Sequence, residues 1–325
     1  MWVAWCMPRE RFSNPWPHDV NGVVDILWWK LGLSSKEHAL MPEAGNEPAA
    51  WLRVGADELA QMPESGWRVI WLGHASFLVQ GAGLNLLIDP VFGDYCSPVP
   101  VPFLRRRVPP PCGIADLPRI DAVLLTHSHY DHLDLGTLRA LGGRPQIVIA
   151  EGHAAWLAKK LSRPVQELRW GQSLRLSDEV MLTATPAQHF TARTPFDRNL
   201  AHWCGWLIEG AGCKLWHVGD SAYCPAFREL GLAHGPIDFG MIPIGAYQPR
   251  RIMKSIHMNP EEAVQAFEEA RCVRAAGMHW GTFALTDEPM QEPVMRLRRE
   301  MERRGLPADV FTAQAVGYAW RVLPR

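Results

Sequence analysis

The chain has 325 residues, enough for one large α/β domain or two small ones, and its 47% apolar and 21% charged residues are ordinary for a globular protein. Lys and Arg number 33 against 34 Asp and Glu, a formal charge of −1, which excludes a general attraction to nucleic acid. No stretch approaches the ~18 apolar residues of a transmembrane span, and the N-terminus lacks the basic-then-apolar order of a secretory signal.

Residues 1–66 read as an irregular N-terminal arm packed on a main domain of residues 67–325. The arm holds Pro8, Asn14-Pro15-Trp16-Pro17 and a short apolar patch at 23–33. Trp2, Trp5, Trp16, Trp28 and Trp29 read as packing residues in preference to an interfacial belt. Residues 67–79 and 84–88 predict two strands joined at Gly81-Ala82-Gly83. Six prolines in residues 98–111 remove backbone donors and fix φ, so this stretch predicts a surface loop or flap.

Beyond it, apolar β-type runs at 122–126, 146–150, 180–185, 214–218, 239–244 and 275–278 alternate with predicted helices near 135–141, 154–161, 260–270 and 289–304. The helix at 260 has the strongest start, with Asn259 as N-cap, Pro260 in first position and Glu261-Glu262 in the first turn. Seven scattered cysteines without a Cys-x-x-Cys pair read as reduced packing thiols of a cytoplasmic protein.

Metal-type residues sit where these apolar runs end. Residues 122–126 lead into His127-Ser128-His129-Tyr130-Asp131-His132, 180–185 into His189, 214–218 into Asp220, and 275–278 into His279. In α/β sheets the loops after strand C-termini line the ligand crevice, so four separate segments converge on one sheet edge. Imidazole nitrogen and carboxylate oxygen suit a borderline metal such as zinc. His127 and His129, two apart in an extended segment, point the same way and can share a metal. Asp131-His132 can address a second, and the two oxygens of Asp220 can bridge. No Ser or Cys nucleophile stands in an activating motif, so attack by water fits better than a covalent enzyme.

This pattern resembles the metallo-β-lactamase superfamily, and within it the N-acyl-phosphatidylethanolamine-hydrolysing phospholipase D family and its bacterial relatives. The likeness runs from about Arg11 almost to the C-terminus. It is carried by Arg11-Phe12-Ser13-Asn14-Pro15-Trp16-Pro17, Trp71-Leu72-Gly73-His74-Ala75, Asp89-Pro90-Val91-Phe92, residues 126–134, and Gly219-Asp220-Ser221-Ala222-Tyr223-Cys224-Pro225-Ala226-Phe227. Further on it is carried by Pro243-Ile244-Gly245-Ala246-Tyr247-Gln248-Pro249-Arg250, His257-Met258-Asn259-Pro260-Glu261-Glu262-Ala263 and His279-Trp280-Gly281-Thr282-Phe283-Ala284. The His-x-His-x-Asp-His motif is superfamily-wide; the Tyr-Cys-Pro-Ala-Phe, Pro-Ile-Gly-Ala-Tyr and His-Trp-Gly-Thr-Phe-Ala stretches belong to the phospholipase-like branch.

The resemblance implies an α/β (α+β) fold, the four-layer αββα sandwich, and two zinc ions per chain. One ion would take His127, His129 and His189, the other Asp131, His132 and His279, with Asp220 bridging. The implied reaction is hydrolysis of an N-acyl-phosphatidylethanolamine-type phospholipid to N-acylethanolamine and phosphatidic acid. The lipid would be met by peripheral association of a cytoplasmic protein, and a homodimer is left open.

Asp220 would position the attacking water. His257, a loop imidazole titrating near pH ~6.5, would assist the leaving oxygen or grip the phosphate. His74 reads either as an orienting partner of the metal ligands or as a buried histidine with a backbone partner. Arg105, Arg106 and Arg107, beside Phe103, Leu104 and Val108, read either as a solvated cluster or as a basic lip for lipid phosphates. Tyr247, Gln248 and Arg250 read either as substrate contacts or as strand-end turn residues. A same-fold hydrolase of a sugar-phosphate lactone or thioester, a nuclease, and a non-catalytic metal-dependent binder are the alternatives.

Overall fold

Two seven-stranded mixed sheets face each other in the computed structural model, which describes residues 10–18, 28–29 and 41–325. The first sheet contains β1 (Trp67–Gly73), β2 (Ser76–Gly81), β3 (Leu84–Ile88), β4 (Ala122–Leu125), β5 (Gln146–Ala150) and β6 (Gln166–Leu168). The second contains β7 (Ser173–Arg175), β8 (Met181–Thr185), β9 (Gly205–Gly210), β10 (Cys213–His217), β11 (Ile237–Pro243), β12 (Cys272–Met278) and β13 (Phe311–Thr312). The C-terminal strand β14 (Ala319–Val322) returns to the first sheet and pairs antiparallel with β1. Both sheets begin as an antiparallel meander and continue as parallel crossovers, from β3 in the first and from β10 in the second.

Alternation along a strand sorts side chains between layers. Trp67, Val69 and Trp71 of β1 enter the core between the sheets, where Trp206, Leu215 and Phe239 of the second sheet also lie. Ile70 and Leu72 turn the other way and pack with Leu138 of α2 (Leu135–Ala140) and Leu157 of α3 (Ala154–Leu161); one-turn helices α1 (Ala56–Leu59) and α5 (Arg250–Met253) lie before β1 and after β11. On the outer face of the second sheet lie α4 (Ala226–Ala233) and α6 (Pro260–Glu269). α6 buries Pro260, Ala263, Val264 and Phe267 in one stripe, and α7 (Glu292–Arg303) packs against it. This is the expected four-layer sandwich. Each large side chain withdrawn from water here contributes about 1.5–3 kcal/mol, so stability resides in these layers and not in the loops at the sheet edge.

The sequence reading differs from the structure in one place that bears on the site. Residues 67–79 form two strands, β1 and β2, turning at His74-Ala75. Gly73 and His74 take positive φ (102° and 54°), and a wholly buried apolar run conceals such a turn. The second turn, Ala82-Gly83, falls where expected, with φ of 47° and 72°. The strands β6, β7, β9, β13 and β14 and the helix α4 had no counterpart in the sequence reading; in β6, β7, β13 and β14, two to four residues are too few for a strand period to register.

Described parts of the expected arm are hydrogen-bonded to the body, with Ala49 N–H donating to Gly281 O and Val54 N–H to Pro111 O, both at 2.9 Å. Trp16 stacks on Trp170 as a packing residue, whereas Trp28 is 55% exposed. Trp2, Trp5, Cys6 and most of the patch at 23–33 lie outside the described residues. Among the described cysteines all but Cys272 are buried, in keeping with the packing reading. No helix among the described residues is long and apolar enough to cross a membrane.

Candidate metal centre

The edge formed by the C-terminal ends of the parallel strands collects all seven nominated ligands. β4 ends at Leu125, and the loop after it presents His127, His129, Asp131 and His132. His189 follows β8, Asp220 follows β10 and His279 follows β12. Metal-type atoms fall into three groups, each within 4.8 Å: His127, His129, His189 and Asp220 in one, His74, Asp131, His132 and His279 in another, and Asp220, His257 and His279 in a third that overlaps both. Asp220 joins them. Its Oδ2 lies 3.2 Å from His132 Nε2, 3.6 Å from His189 Nε2 and 3.9 Å from His127 Nε2, while Oδ1 lies 3.1 Å from His279 Nε2.

Neighbouring groups fix which ring nitrogen faces inward. His132 Nδ1 pairs with Asp89 Oδ2 at 2.7 Å and His189 Nδ1 with Ile256 O at 2.8 Å, leaving both Nε2 atoms for the centre. Asp89 is held in turn by Thr126, which donates N–H to Oδ1 at 2.8 Å and Oγ1–H to Oδ2 at 2.6 Å. His74, Asp89 and His279 all take positive φ (54°, 40° and 63°), strain that persists only where surrounding contacts over-determine it. Those contacts are present: His74 O accepts from His279 N–H at 3.0 Å and from Trp71 Nε1–H at 2.8 Å.

Burial and mutual repulsion hold the imidazoles of the first group neutral. His127 lies well below its ordinary value, His129 is lowered to about 3 by burial and by His189, and His189 to about 4 by burial. Burial opposes charge on Asp131 and Asp220 as well, but His132 and its neighbours keep both carboxyls well below the usual range and ionised. Against the same burial, Asp220, Asp131 and Asp89 hold His132 well above its ordinary value, and Asp220 with Asp131 raises His279 to about 9. Neutral imidazole and ionised carboxylate are the forms a cation binds, so the first group is already in that form, whereas His132 and His279 would give up a proton to a bound ion. His132 Nε2, His279 Nε2 and Asp220 Oδ1 are buried and carry no hydrogen bond, although they stand close together. Buried polar atoms left so are what a bound ion explains, and the residues present fit a metal.

A family model described as a beta-lactamase superfamily domain matches residues 84–280. The chain belongs to the metallo-β-lactamase superfamily. It is a metal-dependent hydrolase of that superfamily. It is 35% identical over 321 residues to N-acyl-phosphatidylethanolamine-hydrolyzing phospholipase D 1 of Caenorhabditis elegans, an alignment covering 94% of this chain and 89% of that one. An uncharacterised Mycobacterium tuberculosis protein is 38% identical over 263 residues, 78% of this chain and 69% of the other. Among solved structures, the isothiocyanate hydrolase from Delia radicum gut bacteria superposes with a TM-score of 0.63 at 18% identity, covering 78% of this chain and 98% of that chain. At that identity the superposition speaks for the fold alone.

Around this superfamily centre the other nominated residues separate. His74 Nε2 lies 2.9 Å from Asp131 Oδ2, the place of an orienting partner, and its ring centroid lies 4.0 Å from that of His279. His257 stands on the loop before α6, with ring centroids 5.0 Å from His189 and 5.2 Å from His279, and its Nδ1 has no partner. Burial holds it well below the ordinary imidazole value. The N-cap secures this loop. Asn259 Oδ1 accepts from Glu262 N–H at 2.9 Å, Glu262 Oε2 accepts from Asn259 N–H at 3.0 Å, and Arg250 bridges Glu262 to His257 O at 3.0 Å.

Three nominated substrate residues are withdrawn from solvent. Arg106 is buried and donates to the carbonyls of Val91 and Gly93, its guanidinium 4.8 Å from the Phe283 ring centroid. It is a strut of the proline loop, whereas Arg105 and Arg107 are exposed. Tyr247 is fully buried and donates its hydroxyl to Glu292 Oε1 at 2.8 Å beneath Arg296. Gln248 is buried beside it, at 2% exposure. Val108 also sits in the core, so of the expected apolar lip Phe103 alone is largely exposed, at 57%.

Sequence reasoning overlooked Arg193. Its Nη1 donates to Ser128 O at 2.7 Å and Leu133 O at 2.9 Å, and its guanidinium lies 3.8 Å from the Tyr130 ring centroid. It staples the ligand loop from the far sheet. A groove of about 630 Å³ opens beside the centre, lined by Trp16, His18, Gln188, Tyr223, Lys254 and Ser255.

Proposed function

We propose that the protein is a zinc-dependent phosphodiesterase of phospholipase D type. It hydrolyses N-acyl-phosphatidylethanolamine-type lipids to N-acylethanolamine and phosphatidic acid. The observation that carries this reading is the 35% identity along 94% of the chain with the C. elegans phospholipase D, since the fold alone does not choose a reaction.

In this reading residues 67–325 are the catalytic domain and residues 1–66 an arm packed on it. His127, His129 and His189 hold one zinc ion, Asp131, His132 and His279 the other, and Asp220 spans both. When bound, the ions supply Lewis acidity toward a phosphoryl oxygen and acidify water. Asp220 orients the attacking water through its carboxylate. His257 offers its unpartnered Nδ1 to the phosphate or to the leaving oxygen. The groove beside Gln188 and Ser255 has the size of a small-molecule site and receives one arm of the diester.

Lipid access fits the exposed surface around the proline loop. Val99 is 60% exposed and Phe103 57%, and the exposed Arg105 and Arg107 lie in the same loop. Exposed apolar tips beside cations suit a peripheral contact with an anionic lipid surface.

The test is a turnover panel with N-acyl-phosphatidylethanolamine, a soluble phosphodiester, a lactone and a thioester, run with zinc content measured on the same sample. The expected result is release of N-acylethanolamine by protein holding two zinc ions per chain, lost on chelation and restored by zinc. Turnover of the lactone or thioester with none of the lipid would overturn the reading.

A further inference from the structure

Residues 11–18 carry one of the stretches that mark the family likeness, yet none of them belongs to the metal centre described above. In the structure they cross the long connection between β8 and β9 and grip it at both ends. The Asn14 carboxamide pairs with the backbone of His189 in both directions: Nδ2 donates to His189 O at 2.9 Å, and Oδ1 accepts from His189 N–H at 3.2 Å. At the other end, Phe12 N–H donates to Asn199 O at 2.9 Å, and the Phe12 ring meets His202 edge-on at 4.6 Å. Arg11 donates to the carbonyls of Arg198 and Phe196. The loop closes on itself through Thr191 and Asn199, with Asn199 N–H donating to Thr191 O at 2.8 Å.

The imidazole of His189 is held from behind by Nδ1 to Ile256 O at 2.8 Å, while its Nε2 faces His129 Nδ1 at 3.2 Å within the centre. The contact with Ile256 fixes the tautomer and the plane of the ring, but it does not fix where the backbone carries the ring. A carboxamide sets a donor beside an acceptor as a peptide group does, so Asn14 supplies the pairing that a neighbouring strand would give in a sheet, with its second N–H toward His18 Nε2 at 3.4 Å. An Asp here would keep the acceptor and set a carboxylate against a carbonyl oxygen. A Leu of similar volume would leave both backbone groups unpaired.

We propose that Asn14 is a positioning residue for His189, acting through its carboxamide and not through the rest of the strap at 11–18. The proposal rests on the reading of His189 as a metal ligand. Groups that orient a ligand from behind typically change metal affinity by about 10–100-fold when removed.

Two readouts test this without reference to turnover: zinc affinity of the full chain by competition with a chromogenic chelator, and amide exchange at His189 in the metal-free protein. Asn14→Leu is expected to speed exchange at His189 and to weaken one of the two zinc ions by about 10–100-fold, with Asn14→Asp intermediate. Asn14→Asp carries the test alone if Asn14→Leu fails to fold. Phe12→Leu loosens the strap but spares the carboxamide, and is expected to leave zinc affinity unchanged. Unchanged zinc affinity in both Asn14 variants, with an ion lost in His189→Ala, overturns the proposal and leaves the metal centre standing. Retention of both ions by His189→Ala overturns the proposal and the ligand assignment together.

Discussion

The two sheets furnish the metal centre in different ways. From the first sheet, four of the seven nominated ligands arrive within the six residues His127 to His132, on the single loop after β4. From the second sheet they arrive one at a time, His189 after β8, Asp220 after β10 and His279 after β12. A ligand set delivered by one loop has its relative geometry restricted by the chain itself. A set delivered by three loops has none until the strands are paired in register, so each of its members needs an outside anchor. On two of the three the anchors are visible: Asn14 and Ile256 on His189, and His74 on His279. The centre is therefore as rigid as the contacts between the sheets.

The largest expected effect breaks the link between the two halves. Asp220→Asn is expected to lower turnover by more than ~10³-fold and to cost both zinc ions, because its oxygens face imidazoles of both groups. Asp131→Asn is expected to cost one ion and leave the thermal unfolding midpoint nearly unchanged, since the ligands lie outside the sandwich core. Metal analysis of the two purified variants checks this; an Asp220→Asn protein that keeps two ions would show the halves to be independent.

Next comes the staple between them. Arg193→Ala frees the carbonyls of Ser128 and Leu133 and is expected to lower stability by about 1.5–3 kcal/mol, read as a shift in the denaturant midpoint at constant slope. A loss of turnover with no change in stability would place Arg193 on the substrate instead.

A similar loss, confined to the first sheet, is expected for Asp89→Ala. With His132 Nδ1 and Thr126 left unpartnered, zinc affinity should fall by about 10–100-fold. Chelator competition measures it, and wild-type affinity would mean that the loop after β4 holds its own geometry.

The smallest effect lies farthest from the centre. Arg105→Ser with Arg107→Ser should weaken binding to phosphatidylserine-containing vesicles by about 1 kcal/mol per charge, less at high salt, and spare a soluble phosphodiester. Arg106→Ser should instead lower the melting temperature, because its guanidinium serves buried carbonyls. Co-sedimentation and thermal melts separate the two.

What the sequence alone determined follows the same division. Four metal-type residues in six, placed after an apolar run, declared the loop of the first sheet without any structure. The single residues His189, Asp220 and His279 were legible only because each also ended an apolar run, and strand ends are readable from hydropathy. Helix α6 was legible because its start is encoded locally, by Asn259, Pro260 and Glu262. Tertiary structure alone decided the rest. It made an orienting residue of Asp89, a staple of Arg193 and a clasp of Asn14, each by a contact made far along the chain from the group it serves. It also buried Arg106 between two exposed arginines and sealed Tyr247 beneath Arg296, since a loop without a repeating period carries no signal of which side chain turns inward. Local pattern specifies an element and its ends, whereas the partner of an isolated polar side chain is chosen only when distant segments pack together.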